Sequence, residues 1–454
     1  MRITVVRMTR VAVIFGALLW FGAGAVAKAQ SLYEKSFTLA ADGEAQLALT
    51  ASSPNADWAV KGREAAVVTI NVDGAYQQDL FLFGGASAFT YHLSLGKLAA
   101  GKHQLQITHN AKQSAAQAGA PLIQAAEVLP YASKDTRTQL AVAHAPVLIA
   151  RLDTLGRFSD IPLLLSYEFV PGEALMIRYS VIFTNEDGGT QTAALMARWG
   201  RATDIEWVYE VTLDAAGKIA KAEYQGSNHR VLPFQGEQLA QHPVLYVATV
   251  NNNFADQPFR KEAQTMRFAL APVEHDSLKM TRESVMDLQP WSHRVMAAEI
   301  LRENRIAKTD DEIAGLSGMR LKIAPFRRYL YLDFDGEVQN AGLSFLVKLK
   351  GDAQWYASDL GNPSFRITRN GWARTTVRLP RVVEAAQIEK LAVRCDALPE
   401  TFTNRDVTPP EPRCQVKAWG KMFLLKADDT PGAALAFKTA PLSLRVGEMR
   451  EVTR

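Results

Sequence analysis

The sequence predicts a mainly β protein made of three β-rich domains, each an antiparallel β-sandwich. Three observations carry that prediction. From Ser31 to about Ala125, short runs of alternating apolar and polar residues are separated by Gly, Ala, Ser and Asn turns. In the middle of the chain, Ile205, Trp207, Tyr209, Val211 and Leu213 alternate ahead of a turn at Asp214 to Gly217 and a returning run from Lys218 to Gln225. From about Leu321 the chain is strand-rich again. A period of two is that of a strand with one buried face, and short strands at regular spacing with turns between them argue sandwiches. A chain of 454 residues exceeds one core, so domains over 30–125, 135–318 and 321–454 are expected.

Ahead of these domains, Arg2, Arg7 and Arg10 precede an apolar run from Val11 to Ala27, and Ala27-Lys28-Ala29 offers small residues for cleavage before Gln30. That is the pattern of a secretory signal peptide, residues 1–29, rather than of a membrane anchor. No later stretch could span a bilayer, so an exported protein, periplasmic or secreted, is expected. Removing the leader takes away four basic residues and no acidic ones, which leaves 47 of each sign. Without a basic excess, nucleic acid and anionic membrane surfaces are not expected partners. A composition of 48% hydrophobic and 22% charged residues is ordinary for a folded globular chain.

The N-terminal strands read most clearly at Ala65 to Gly74, Asp79 to Gly85, Phe89 to Gly96 and Lys102 to Asn110. Phe81 and Phe83 share one face, as do Phe89 and Tyr91; such pairs either fill a sandwich interior or stack on sugar rings, and core packing is the expectation. Ala118 to Asp135, rich in small residues and Pro, reads as a linker. Ile177, Tyr179, Val181 and Phe183 then alternate as a buried strand, and Asn185 to Gly189 is a turn carrying Asp187.

The hairpin from Ile205 places Asp204, Glu206 and Glu210 on the face opposite its apolar residues. Pairing Leu213 with Lys218 sets Asp204 opposite Ser227 and Glu206 opposite Gln225, with His229 just beyond. Two carboxylates and an imidazole then meet at one end of a sheet, although a slip of one residue would swap the faces. Acidic residues on the outer face of a strand ordinarily just face water, and a lone His is ordinarily a surface or hydrogen-bonded residue.

Further on, Val295, Ala298, Ile300, Leu301 and Ile306 approximate helical spacing after Pro290, with Ser292 as the N-cap. His275 and His293 show no acidic partner pattern and read as structural. In the last domain, Cys395 and Cys414 in an exported chain read as a disulfide closing a loop of roughly 20 residues, worth about 3 kcal/mol. Zinc would need four ligands. Asp333-Phe334-Asp335-Gly336 superficially matches the nucleophile motif of haloacid-dehalogenase-like phosphatases, but Glu337 follows where that motif needs Thr or Val. The structural reading is a strand ending in a turn.

Four pieces carry a family resemblance: HAPVL with RFSDIPLLL, IRYSVIFTNEDGG, the block TDIEW…GSNH, and HPVLYVATVNNNFAD. In this order and spacing, from about Ala141 to Pro258, they resemble the vacuolar protein sorting-associated family, the sixty-second of that series, which is similar to the necrosis- and ethylene-inducing-peptide-like proteins. The resemblance implies a middle β-sandwich with helices on its flanks. It also implies a site where a Gly-His-Arg-His-Asp-Trp-Glu segment surrounds a divalent cation, calcium or magnesium, used in binding a glycosylated lipid head group. Gly200, Asp204 and Glu206 match the Gly, Asp and Glu of that segment. Arg201 and Thr203 stand where its two His should be, His229 matches a downstream His, and Asn252 occupies the position of another His in the sorting-family version. A guanidinium cannot ligate a cation; one alternative is that the fixed charge of Arg201 replaces the ion and pairs with Asp204 or Glu206.

The leading expectation is therefore an exported binding protein that recognises a glycan or glycolipid-like envelope ligand through Asp187, Asp204, Glu206 and His229. The alternatives are a hydrolase of an envelope polymer or phosphoester that uses Glu206 and Asp204 as acid and base, and a purely architectural protein. Against the hydrolase, no nucleophile motif such as G-x-S-x-G is present.

Overall fold

The computed structural model describes residues 31–133, 135–186, 190–258, 266–313, 322–398 and 411–452. The leader read in residues 1–29 and the candidate Asp187 lie outside them. The described chain is mainly β, with several antiparallel sheets arranged as sandwiches. Among the described residues, no helix is long and apolar enough to cross a membrane.

Seven strands open the chain: β1 (Ser31–Leu39), β2 (Gly43–Ser52), β3 (Val67–Val72), β4 (Ala75–Phe81), β5 (Phe89–Leu98), β6 (Gly101–His109) and β7 (Leu122–Pro130). They form two sheets, β1-β6-β3-β4 and β5-β2-β7. The alternation in β2 buries Ala45, Leu47, Leu49 and Ala51, which face Ile70, Leu105 and Ile107 of the other sheet in one core. The segment read as a linker instead supplies β7, paired with β2 from Ala45↔Pro130 to Ser52↔Leu122. β7 is an edge strand with Leu122 and Leu129 exposed, so it carries little alternation to read. The aromatic residues pack as a core: Phe81 stacks on Phe268 at 5.9 Å and Phe83 on Trp291 at 4.7 Å. They join this sandwich to the next unit rather than forming a platform for sugars.

The middle unit begins with α1 (Thr136–Ala143), capped by the Asp135 carboxylate, which accepts from the backbone N–H groups of Arg137 and Thr138. It continues through β8 (Val147–Ile149), α2 (Leu152–Leu155), β9 (Pro162–Val170), β10 (Leu175–Phe183), α3 (Thr192–Trp199), β11 (Ile205–Leu213), β12 (Ile219–Gly226) and β13 (Arg230–Pro233). The remainder is β14 (Gln238–Leu239), β15 (His242–Val247), β16 (Phe254–Ala255), β17 (Arg267–Phe268), β18 (Pro272–Glu274), α4 (Ser284–Leu288) and α5 (Trp291–Arg302). One sheet has the order β13-β12-β11-β10-β9-β18 and the other β14-β15-β8-β17, with β16 beside β15. The α5 helix differs from its sequence reading in detail. Pro290 takes the cap position and Ser292 lies inside, its hydroxyl donating to the Gln289 carbonyl at 2.8 Å. Leu301 is exposed, and Ile306 lies past the helix end.

The last unit comprises β19 (Tyr329–Gln339), β20 (Ala341–Leu349), β21 (Trp355–Ala357), β22 (Gly371–Arg378), β23 (Ile388–Ala397), β24 (Arg413–Leu424), β25 (Leu442–Arg445) and β26 (Met449–Val452). Its sheets are β22-β19-β24-β25 and β21-β20-β23-β26. The disulfide joins Cys395 of β23 to Cys414 of β24, Cα atoms 5.7 Å apart, and so ties one sheet to the other. Strand β19 does not end at the Asp333–Gly336 motif but runs on to Gln339, paired on both sides. Asp333 is buried against the guanidinium of Arg374, which places it in the fold's framework.

Two apolar cores result. One is continuous from the N-terminal sandwich through the middle unit and onto Tyr331 and Phe423; the other is confined to the last sandwich. Polar ties cross the seams. Trp58 Nε1 donates to Glu299 at 3.0 Å, and the hydroxyls of Thr375 and Thr376 donate at 2.6 Å to the Ala197 and Met196 carbonyls at the end of α3. Arg374, fully buried, donates to both Asp333 and Asp287. His293, read without an acidic partner, has one: its Nε2 lies 3.0 Å from Asp287.

Candidate functional site

The site is assembled where α3 hands the chain to β11. Gly200 ends α3 in the left-handed region, φ 62°, and a Cβ there would collide with the Arg374 side chain. Only glycine turns the chain cheaply at this point. Beyond it, Glu186 N donates to Ala202 O at 3.1 Å and Phe183 N to Asp204 O at 3.0 Å, which extends the β10–β11 ladder past its strands.

The ladder then contains a β-bulge. Tyr209 pairs with Tyr179 but Trp207 pairs with Ser180, so Val208 is an extra residue. A bulge of one residue exchanges the faces beyond it. Glu206 therefore pairs with Val181 on the face that carries Tyr179, Tyr209 and Val211, whereas Trp207 and Glu210 share the other face with Arg178. This overturns the expected outward Glu206 and inward Trp207. The hairpin register differs as well: Tyr209 pairs with Tyr224 and Glu210 with Glu223, two residues from the expected pairing. Gln225 reaches Glu206 all the same, its side-chain amide donating to Oε2.

Asp204 is only 2% exposed and accepts from Asn252 Nδ2 at 3.0 Å; the same amide donates to Asp160 at 2.7 Å. Glu206 and Asp204 are close enough for each carboxyl to act on the other. His229, in a short 3₁₀ turn over Ser227–His229, brings Nδ1 to 3.7 Å from Glu206, and its side chain is 54% exposed. Asn251 Nδ2 donates to His229 Nε2 at 3.2 Å, and Asn253 Oδ1 accepts from Asn228 N at 3.2 Å. The structure thus brings together Asp204, Glu206 and His229. Asn228, His229 and Asn252 are held at positive φ, a conformation that Asn tolerates better than most residues.

Burial raises Glu206, Asp204 and Glu186. It lifts Glu206 to about 7, helped by the neighbouring Asp204 charge and opposed by the Gln225 hydrogen bond and the Arg282 and Arg201 charges. Asp204 is raised by burial against the opposing charge of Arg201. Glu186, not singled out in the sequence, is lifted to about 9 by burial and by Asp204. Its Oε1 is buried without a hydrogen-bond partner among the described residues. Glu186 also lines a polar cleft of about 1060 Å³ shared with Lys61, Arg157 and Glu303. The adjacent Asn185-Glu186-Asp187 reads from sequence only as a turn, so nothing there marks Glu186 as buried.

Arg201 does not hydrogen-bond Asp204 or Glu206. It is buried, with Nε 3.3 Å from Glu283 and Nη1 donating to Thr203 O. Among the described residues, no group of three or more His, Cys, Asp or Glu side chains is arranged to hold a metal ion. Amide N–H donors from Asn252 and Gln225 face the carboxyl pair, and these oppose a cation. The divalent cation implied by the resemblance does not fit these residues.

No protein-family model matches the chain, and no curated protein sequence matches it.

Proposed function

We propose that the protein is an exported binding protein that recognises a hydroxyl-rich ligand, a glycan or the sugar head of a glycolipid, at the surface where His229 meets Glu206. One observation carries this reading: Glu206, whose carboxyl burial lifts to about 7, lies 3.7 Å from the exposed imidazole of His229. Such a group both donates and accepts hydrogen bonds at neutral pH, as a sugar hydroxyl does. Val231 and Val250, 55% and 59% exposed, stand close in sequence to His229 and Asn251 and offer apolar surface for the C–H face of a sugar ring. Asp204 is a positioning residue, too deep to touch a ligand. On this proposal, Ala141 to Pro258 is a divergent relative of the sorting and necrosis-inducing families, in which a raised carboxyl at Glu206 and the neighbouring Arg201 guanidinium stand in for the cation.

Binding is favoured over hydrolysis by burial. Glycosidic bonds are cleaved by two carboxyls that flank the scissile bond, whereas Asp204 is only 2% exposed and cannot reach a substrate. The test is retention on polysaccharide and glycolipid arrays. Asp204→Asn with Glu206→Gln is expected to lower retention at least about tenfold with a melting temperature no lower than that of the wild type, and chelator is expected to have no effect. Unchanged retention in the double variant sinks the proposal.

A further inference from the structure

Four arginines gather at the seam between the middle unit and the last sandwich. The guanidinium carbons of Arg198, Arg369 and Arg201 lie 4.3, 5.3 and 5.9 Å from the centroid of the Trp199 ring. Arg282 is close enough for its charge to act on both Glu283 and Arg369. Few negative charges answer them. Glu283 is buried 3.3 Å from Arg201 and divides its single charge among Arg201, Arg282 and Arg369, and burial raises both Asp204 and Glu206 towards their neutral forms. The charge of Arg374 is matched separately by Asp287 and Asp333.

Like charges at these separations repel, and burial strengthens the repulsion. Cation–π contact with one indole offsets only part of it. Arg198 Nε is buried without a hydrogen-bond partner among the described residues. The one bond from Arg369 Nη2 is a long one, 3.4 Å to the Arg374 carbonyl. Burial pushes the Arg198 guanidinium down, and burial with the charges of Arg282, Arg201 and Arg198 brings Arg369 to about 10 against the opposing charge of Glu283. These are the marks of cations that lack a counter-charge.

We infer that this seam binds a tetrahedral oxyanion, a phosphate or sulfate group, held by Arg198, Arg201, Arg282 and Arg369 around Trp199. Guanidinium forks converging from α3, from the turn after it, from the segment before α4 and from the segment before β22 suit an anion with acceptors in several directions. The Trp199 ring is already covered by guanidiniums, so stacking of a nucleic-acid base is not the fit. The inference does not depend on the glycan reading.

The test is calorimetric titration of the full-length protein with inorganic phosphate, together with melting in phosphate and in chloride at matched ionic strength. Saturable binding and a phosphate-specific rise in melting temperature are expected. Arg198→Gln and Arg369→Gln are each expected to weaken binding at least about tenfold. Arg369→Gln is also expected to leave the unliganded melting temperature equal or higher, because it removes a like charge. A purely structural arginine would lower it. His229→Ala is expected to leave phosphate binding unchanged, which separates a failure here from a failure of the glycan reading. In a second arm, tighter binding of glucose 6-phosphate than of phosphate would identify a sugar phosphoester as the source, and equal binding would identify the free anion. A phosphate response no larger than that to chloride, or one undiminished in both arginine variants, overturns the inference.

Discussion

Glu186 and Glu206 differ from ordinary surface carboxylates only in what surrounds them, and their pH behaviour follows from that. Both are raised, to about 9 and about 7. Below the unfolded value near 4.5 each is protonated in both states and contributes no penalty. As pH rises the unfolded chain ionises first, so stability is lost progressively up to the folded value. Between pH 7 and 9 Glu186 dominates this loss, because Glu206 has completed most of its change. Melting curves are expected to fall across that window in the wild type, on the order of 1–2 kcal/mol of stability, and to fall less in Glu186→Gln. Equal slopes in the two proteins would show that Glu186 ionises normally. Neither value was legible in the sequence: TNEDGG is a turn by composition, and only the pairing of Glu186 with Ala202 buries its side chain.

Two local devices decide what these residues face. One is the bulge at Val208, which moves Glu206 to the inner face and leaves Trp207 over Arg178. Alternating apolar residues in β11 identify a strand correctly but cannot register one inserted residue, because Ile205, Trp207 and Tyr209 still alternate by count. The other device is the left-handed end of α3. At Gly200, φ 62°, a side chain would meet both backbone strain and Arg374. Gly200→Ala is expected to destabilise by roughly 2 kcal/mol, read as a lowered midpoint in urea with an unchanged slope; an unchanged midpoint would mean that the seam against Arg374 is loose. In the sequence, Gly200 could be aligned with a family motif, but its role as a helix terminus packed against β22 could not be seen from there.

At the scale of the whole molecule, the three units are joined by buried polar ties. Arg374 lies on β22, yet its guanidinium lies between Asp333 of β19 and Asp287 of α4. Replacing it by Met leaves two buried carboxyls without their cation, and a loss of about 3–5 kcal/mol is expected. Denaturation followed by the Trp199 and Trp372 signals at this seam would check it; a loss under about 1 kcal/mol would place Arg374 with ordinary surface pairs. The Trp58–Glu299 bond and the stack of Phe83 on Trp291 do the corresponding work at the other seam. One apolar core consequently runs from the first sandwich into the second, which no boundary drawn along the chain could anticipate.

Periodicity and turn residues alone determined the class of this protein, because alternation and Gly or Asn turns are properties of neighbouring residues. The same holds for the pairing of Cys395 with Cys414, the only cysteines in the chain. Asp204, Glu206 and His229 were likewise readable as one end of a hairpin. Their chemistry was decided in three dimensions, because burial, the mutual influence of the two carboxyls and the grouping of Arg198, Arg201, Arg282 and Arg369 depend on segments that only the packing of the units brings together. Desolvation and Coulomb energy depend on distance through the fold, not on distance along the chain.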